Sequence, residues 1–171
     1  MHNKHIITIV GLMGAGKSSV GTRLADYLKY YFIDSDQEIE DREHRSISDI
    51  FSQNGEKYFR EIEADIIQEI IWRDEQTVLS IGGGAFMNVE TRKLLKENTT
   101  VIWLYASIEE TIKRIGSKNN RPLLNQKNKR KILEDLAKVR YPIYQEADYK
   151  FDTTNLTFDQ LVDKIINELK I

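Results

Sequence analysis

Apolar residues along this chain gather into five short runs, and between the runs they recur every three or four positions. The runs are Ile6-Ile7-Thr8-Ile9-Val10, Tyr31-Phe32-Ile33, Val78-Leu79-Ser80-Ile81, Val101-Ile102-Trp103-Leu104-Tyr105 and Tyr149-Lys150-Phe151. Short stretches rich in β-branched and aromatic residues predict strands. Helical spacing links Val20, Leu24, Tyr27 and Leu28, which predicts a helix over about Lys17 to Tyr30. It also links Phe59, Ile62, Ile66, Ile67 and Ile70, and then Phe158, Leu161, Val162, Ile165, Ile166 and Leu169. Each set is one apolar face of a helix. Ile39 sits on a short polar helix, residues 46–51 form another candidate, and Gly55 breaks the chain before the long helix that ends near Arg73. A helix is expected over about 88–96, and Ser107 with Glu110 signals a capping box for one ending near Gly116. A polar stretch over 117–129 then reads as an exposed, mobile loop, followed by a helix to about Ala147 that Pro142 should kink. Thr157 with Gln160 caps the last helix, and Trp103 belongs to the core.

Strands that alternate with helices imply an α/β fold, a parallel sheet with helices on both faces. Neither an internal repeat nor a linker interrupts the pattern, and 171 residues fit one domain spanning 1–171. Ligands of such sheets bind beyond the C-terminal ends of the strands. Three polar features lie there.

After the first run comes Gly11-Leu12-Met13-Gly14-Ala15-Gly16-Lys17-Ser18, a Walker A phosphate-binding loop between a strand and a helix. Its glycines let backbone N–H groups turn inward to phosphate oxygens, Lys17 carries a cation to the β- and γ-phosphates, and Ser18 offers a hydroxyl to Mg²⁺. The helix N-terminus adds its positive end. The second run leads into Asp34-Ser35-Asp36. If the backbone stays extended, both carboxylates face one side, one for Mg²⁺ and one for a substrate hydroxyl; otherwise Asp36 caps the next helix. The third run ends in Gly82-Gly83-Gly84, a turn where a ligand can approach the backbone closely. No aspartate ends that run, so metal support is expected from Asp34. Arg60, Arg121 and Arg140 suit an anion-handling site, because a forked guanidinium clamps carboxylate or phosphate.

Composition narrows the partners. A formal net charge of −2 leaves no concentrated positive field for nucleic acid, and the basic stretch at 127–131 is expected to be a solvated helix face. The absence of cysteine excludes disulfides, thiolate metal sites and cysteine nucleophiles, and three histidines make a histidine metal centre a poor reading. No apolar run approaches membrane-spanning length, and a strand stands where a signal peptide would place its apolar core. A cytoplasmic protein with no nucleic-acid or membrane partner is expected, and nothing requires an oligomer, so a monomer is expected too.

Taken in order, Gly11 to Ser18 with Val20-Gly21, Asp34-Ser35-Asp36, Gly55-Glu56, Phe59-Arg60-Glu61, Gly82-Gly83-Gly84-Ala85, Arg121-Pro122-Leu123-Leu124 and Arg140-Tyr141-Pro142-Ile143-Tyr144 resemble the shikimate kinases over nearly the whole chain. The resemblance implies a three-layer P-loop fold like that of the nucleoside monophosphate kinases, with a five-stranded parallel sheet ordered 2-3-1-4-5. It implies transfer of the ATP γ-phosphoryl group to the 3-hydroxyl of shikimate, on the route to aromatic amino acids, with Mg²⁺. By matching motif, Gly14, Ala15, Gly16, Lys17, Ser18 and Ser19 hold the nucleotide phosphates, and Ser18 and Asp34 serve the metal. Asp36 holds the acceptor hydroxyls, Arg60 and Arg140 bind the substrate carboxylate, and Gly82, Gly83 and Gly84 supply the backbone contact to shikimate. Arg121 closes on the transferring phosphate from a mobile lid over about 116–129, Arg114 lies near adenine, and residues 35–63 form the substrate-binding insertion. The chain departs from the family after Asp152-Thr153-Thr154-Asn155-Leu156, where the frequent proline is missing. The alternatives are a related small-metabolite kinase such as gluconate kinase, which need not carry carboxylate-binding arginines, and a non-catalytic nucleotide-binding regulator.

Overall fold

The sheet runs through the middle of the molecule. A computed structural model describes residues 5–116 and 126–171. Its strands are β1 (Ile6–Val10), β2 (Tyr31–Asp34), β3 (Thr77–Ser80), β4 (Thr100–Tyr105) and β5 (Tyr149–Asp152). All four pairings are parallel and the order is β2-β3-β1-β4-β5, as the family resemblance implied. Helices α1 (Lys17–Leu28), α2 (Ser35–Glu43), α3 (Ile47–Trp72), α4 (Val89–Asn98), α5 (Ile108–Gly116), α6 (Gln126–Tyr144) and α7 (Phe158–Leu169) complete the fold.

The three inner strands β1, β3 and β4 are buried almost throughout because both faces are covered. Ile6 and Val10 of β1, Leu79 of β3, and Val101 and Trp103 of β4 pack with α3, α4 and α6 in one core. Their alternates Ile7, Ile9, Val78, Ile102 and Leu104 pack with α1 and α7 in the other. This is the two-residue period of a strand read twice, once toward each helical layer.

Several expectations need correction. Asp34-Ser35-Asp36 does not stay extended: Asp34 is the N-cap of α2, its Oδ1 accepting from the Asp36 N–H at 3.0 Å, and Asp36 lies in the first helical turn. The capping aspartate is therefore Asp34, not Asp36. Residues 47–72 run as one element, but Gly55 inside it is non-helical (φ 82°, ψ 174°), so the expected break is there. The capping box of α5 is half formed. Ser107 Oγ accepts from Glu110 N at 3.2 Å, while the Glu110 carboxylate pairs with Arg114 at 2.9 Å instead of returning to the backbone. The box of α7 is complete. Helix α6 begins at Gln126, inside the stretch expected as loop, and ends at Tyr144 rather than near Ala147, with Pro142 within its last turn. Arg121 and most of the expected lid lie outside the described residues.

Candidate active site

Strands β1, β2 and β3 end side by side, and each hands its chain to a different part of one site. The register sets Ile9 beside Ser80 and Asp34 beside Ser80, so the loops after all three leave at one level.

The loop after β1 turns at Leu12, whose carbonyl accepts from Ala15 N at 3.1 Å. Gly16 then adopts φ 96°, a left-handed conformation glycine takes without a Cβ penalty, and α1 starts with no side-chain cap. Its first N–H groups are thus left for an anion, which fits the phosphates of a nucleotide. Lys17 folds back over the loop, its Nζ donating to the carbonyls of Gly11 at 3.0 Å and Leu12 at 3.2 Å. Burial pushes its pKa down, against the raising effect of Asp36 and Asp34.

Asp34 serves two elements at once. While Oδ1 caps α2, Oδ2 accepts from Ser18 Oγ at 3.1 Å. Two adjacent oxygen donors, one a carboxylate, suit Mg²⁺, which takes one or two protein oxygens and fills its shell with water and phosphate. Among the described residues no group of three or more His, Cys, Asp or Glu is placed to hold a metal by itself.

The glycine triplet is explained by crowding, since none of its three residues has positive φ. A Cβ on Gly82 would lie 2.9 Å from Asp36 Oδ1 and 2.9 Å from Glu63 Oε1. One on Gly83 would lie 2.5 Å from Arg140 Nη1, and one on Gly84 would collide with the Arg60 guanidinium. Two carboxylates and two guanidiniums from α2, α3 and α6 therefore converge on three residues of bare backbone. Ser35 Oγ accepts from Gly82 N at 3.2 Å and the Tyr144 hydroxyl donates to Gly83 O at 2.5 Å, fixing the turn from both sides.

Charges here perturb one another. Burial and the neighbouring Asp34 raise the Asp36 pKa, with Lys17 opposing. Burial lifts Glu63 to about 7 despite Arg60, whose Nη1 donates to Glu63 Oε2 at 2.6 Å. Burial also raises Tyr144 to about 12, so it remains a donor at neutral pH. Arg60 lies over the Phe59 ring at 5.0 Å, and its Nε is 3.5 Å from Glu56.

Arg114 lies on the other flank of the phosphate loop. It donates to Ala15 O at 3.2 Å, to Thr153 Oγ1 at 2.9 Å and to Thr153 O at 3.0 Å. Phe158 stands between Arg23 and Arg114, 5.4 and 5.6 Å from its ring centroid, and its edge would lie 2.8 Å from a Cβ on Gly16. The structure thus gathers Lys17, Ser18, Asp34, Asp36, Arg60, Arg140 and the triplet on one side of the loop, with Arg114 on the other.

Comparison with known proteins shows the family. The family model described as shikimate kinase matches residues 13–170. The chain belongs to the shikimate kinase family. It is 44% identical over 165 residues to the shikimate kinase of Caulobacter vibrioides (strain NA1000 / CB15N), covering 96% of this chain and 82% of that protein. The solved shikimate kinase from Acinetobacter baumannii, in complex with shikimate, superposes with a TM-score of 0.88 at 38% identity, over 96% of this chain and 92% of that one. The enzyme from Bacteroides thetaiotaomicron superposes with a TM-score of 0.90 at 26% identity, over 97% and 98% of the two chains. The protein is an ATP-dependent small-molecule kinase of this family. Among the described residues no helix is long and apolar enough to cross a membrane.

Glu63, Ser35 and Tyr144 were not singled out from the sequence. Glu63 carried a usable signal, because it falls inside the apolar stripe of Phe59, Ile66, Ile67 and Ile70. An acid there must be buried with a partner.

Proposed function

We propose that the residues around the glycine triplet read the acceptor and that those around the phosphate loop hold the donor. The observation that carries this is the convergence of Arg60, Arg140, Asp36 and Glu63 on Gly82, Gly83 and Gly84, beside the Gly11 carbonyl. Arg60 and Arg140 clamp the carboxylate of shikimate, with the bare backbone of the triplet against its ring. Asp36 orients the 3-hydroxyl and accepts its proton as the bond to phosphorus forms. A carboxylate whose proton affinity burial has raised suits that late acceptance. Gly14, Ala15, Gly16, Ser18 and Ser19 cradle the phosphates of ATP, and Lys17 leaves the carbonyls of Gly11 and Leu12 to meet the transferring group. When bound at Ser18 and Asp34, Mg²⁺ supplies charge neutralisation for the phosphates. Arg114 flanks the nucleotide on the far side. Arg121 completes the donor site, a reading that rests on its place in Arg121-Pro122-Leu123-Leu124. We read the chain as one kinase domain, its acceptor-binding insertion over 35–63, acting as a cytoplasmic monomer without nucleic-acid partners.

Steady-state kinetics of ADP release, with shikimate and ATP varied separately, tests the assignment. Arg60→Ala and Arg140→Ala are expected chiefly to raise the shikimate KM, because the carboxylate does not change during the reaction. Arg121→Ala is expected to lower kcat by a factor on the order of a thousand, the behaviour of an arginine that meets transition-state charge. Asp36→Asn should lower kcat while leaving nucleotide affinity intact. If Arg121→Ala altered only the shikimate KM while the other two arginine variants left it unchanged, the division would be wrong.

A further inference from the structure

Arg92 has no part in the chemistry proposed above, yet its side chain is only 13% exposed. Asn88, four residues before it, caps α4 by accepting from Thr91 N at 2.9 Å, and so sets Arg92 over the short 3₁₀ turn Ala85–Met87. There Arg92 Nη1 donates to Phe86 O at 3.0 Å and to Met87 O at 3.2 Å. That turn continues the glycine triplet, since Ala85 N donates to Gly82 O at 3.0 Å and Met87 N to Gly84 O at 3.1 Å. Carbonyls at the end of so short a turn have no further turn to supply donors, and a guanidinium supplies a charged one.

The same guanidinium also reaches the end of α6. Arg92 Nε lies 3.3 Å from Glu146 Oε1, and Lys96, one turn further along α4, donates to Glu146 Oε2 at 3.1 Å. Glu146 follows α6 by two residues, and its N–H donates to Ile143 O at 3.0 Å, so its carboxylate moves with that helix end. Lys96 and Arg92 hold the Glu146 carboxyl below the ordinary carboxylate range, which keeps it ionised at neutral pH. At the same junction the Tyr144 hydroxyl donates to Gly83 O, and the Phe86 and Tyr144 rings pack with centroids 6.3 Å apart. Arg140 stands one turn before Tyr144, its Nη1 2.5 Å from where a Gly83 Cβ would be. The glycine turn and α6 are thus joined twice, once through Tyr144 and once through Arg92. A planar guanidinium can serve carbonyls and a carboxylate from one rigid group, which an ammonium on a flexible stem cannot.

We infer that Arg92 is a positioning residue, which braces the glycine turn against the end of α6 and thereby sets where Arg140 stands relative to Gly83. Its partners are a turn and a helix end, so its effect passes through Arg140. Without the brace the turn and α6 can shift apart, and a displaced Arg140 grips its anion less well. The group it grips does not change during the reaction, so the loss falls on the shikimate KM and little on kcat. The inference rests on the assignment of Arg140 to the shikimate carboxylate.

Steady-state kinetics of Arg92→Gln, alone and combined with Arg140→Ala, with shikimate and ATP varied separately, tests the brace. Arg92→Gln is expected to raise the shikimate KM about tenfold while kcat and the ATP KM stay within about twofold of the unmodified protein. Arg92→Lys keeps the charge but loses the planar fork, and its shikimate KM should fall between the two. In the Arg140→Ala background, Arg92→Gln should add less than about twofold, because the group it positions is gone. A residue that only stabilised the fold would move both KM values and act equally in both backgrounds. An unchanged shikimate KM in Arg92→Gln, or the same fold-change with and without Arg140, would overturn the inference. Should Arg92→Gln fold poorly, Glu146→Ala breaks the α6 side of the brace from a half-exposed position. It should raise the shikimate KM about threefold, an effect that disappears in the Arg140→Ala background, and the absence of any rise would overturn the inference. If Arg140→Ala by itself left the shikimate KM unchanged, the clamp assignment would fail, and the inference with it.

Discussion

Glu63 shows how much a single side chain can cost the fold that positions it. Its pKa stands at about 7 in the folded protein against an ordinary 4.5, so between those values the folded state binds a proton that the unfolded state has released. Stability therefore falls as pH rises across that interval, and the whole penalty is present above it. A displacement of this size corresponds to a few kcal/mol on the order-of-magnitude scale of proton linkage. Glu63→Gln removes the titration. Denaturant unfolding from pH 4.5 to 8 should show the unmodified protein losing stability relative to the variant as pH rises, and parallel curves would contradict this. At this scale the sequence was read well where a motif dictated a position and poorly where packing did. Lys17, Ser18 and the three glycines follow from their loops. The spacing of Asp34 and Asp36 leaves open an extended segment or an Asp36 cap, whereas Asp34 caps α2 and turns the chain two residues before Asp36. Glu63 stands within the apolar stripe of α3, where periodicity alone marks a core face and not a buried acid.

Among the elements, the turn after β3 does more than connect. Its bare backbone leaves space that Arg60 comes to fill from α3 and Arg140 from α6, so a methyl group there acts on the arginines and not on a loop. A Cβ at Gly83 would lie 2.5 Å from Arg140 Nη1, 3.1 Å from the Tyr144 hydroxyl and 3.2 Å from the Gly11 carbonyl. The guanidinium is the part able to move. Gly83→Ala is expected to raise the shikimate KM about tenfold or more through misplacement of that arginine, with little change in ATP affinity. An unaltered shikimate KM would show that the turn does not set the clamp. Element identities were legible because short continuous apolar runs give way at each boundary to apolar positions three or four residues apart. Boundaries were less so: the polar residues at the start of α6 read as loop, although charged positions on an exposed helix face carry the same composition.

Across the whole molecule, the sheet order sets α2 and α3 beside the β2 edge and α5 beside the β5 loop, with the phosphate loop between them. In the proposed assignment, the acceptor groups around the glycine triplet and Arg114 on the donor side stand on different flanks of the phosphate loop. Alternation of strands and helices made the α/β class legible, whereas strand order came from the family resemblance, since periodicity says nothing about which strands are neighbours. The acceptor clamp depends most on that order, because Arg60 and Arg140 are far apart in the chain and meet only through it. Affinity for shikimate and for its neutral methyl ester, measured with the unmodified protein and with the Arg60→Ala, Arg140→Ala double variant, tests that clamp directly. Loss of the carboxylate charge should weaken binding to the unmodified protein on the order of a hundredfold, the scale of a buried charge pair losing one partner. In the double variant the two ligands should bind within a few-fold of each other. An equal preference for the acid in both proteins would contradict the account.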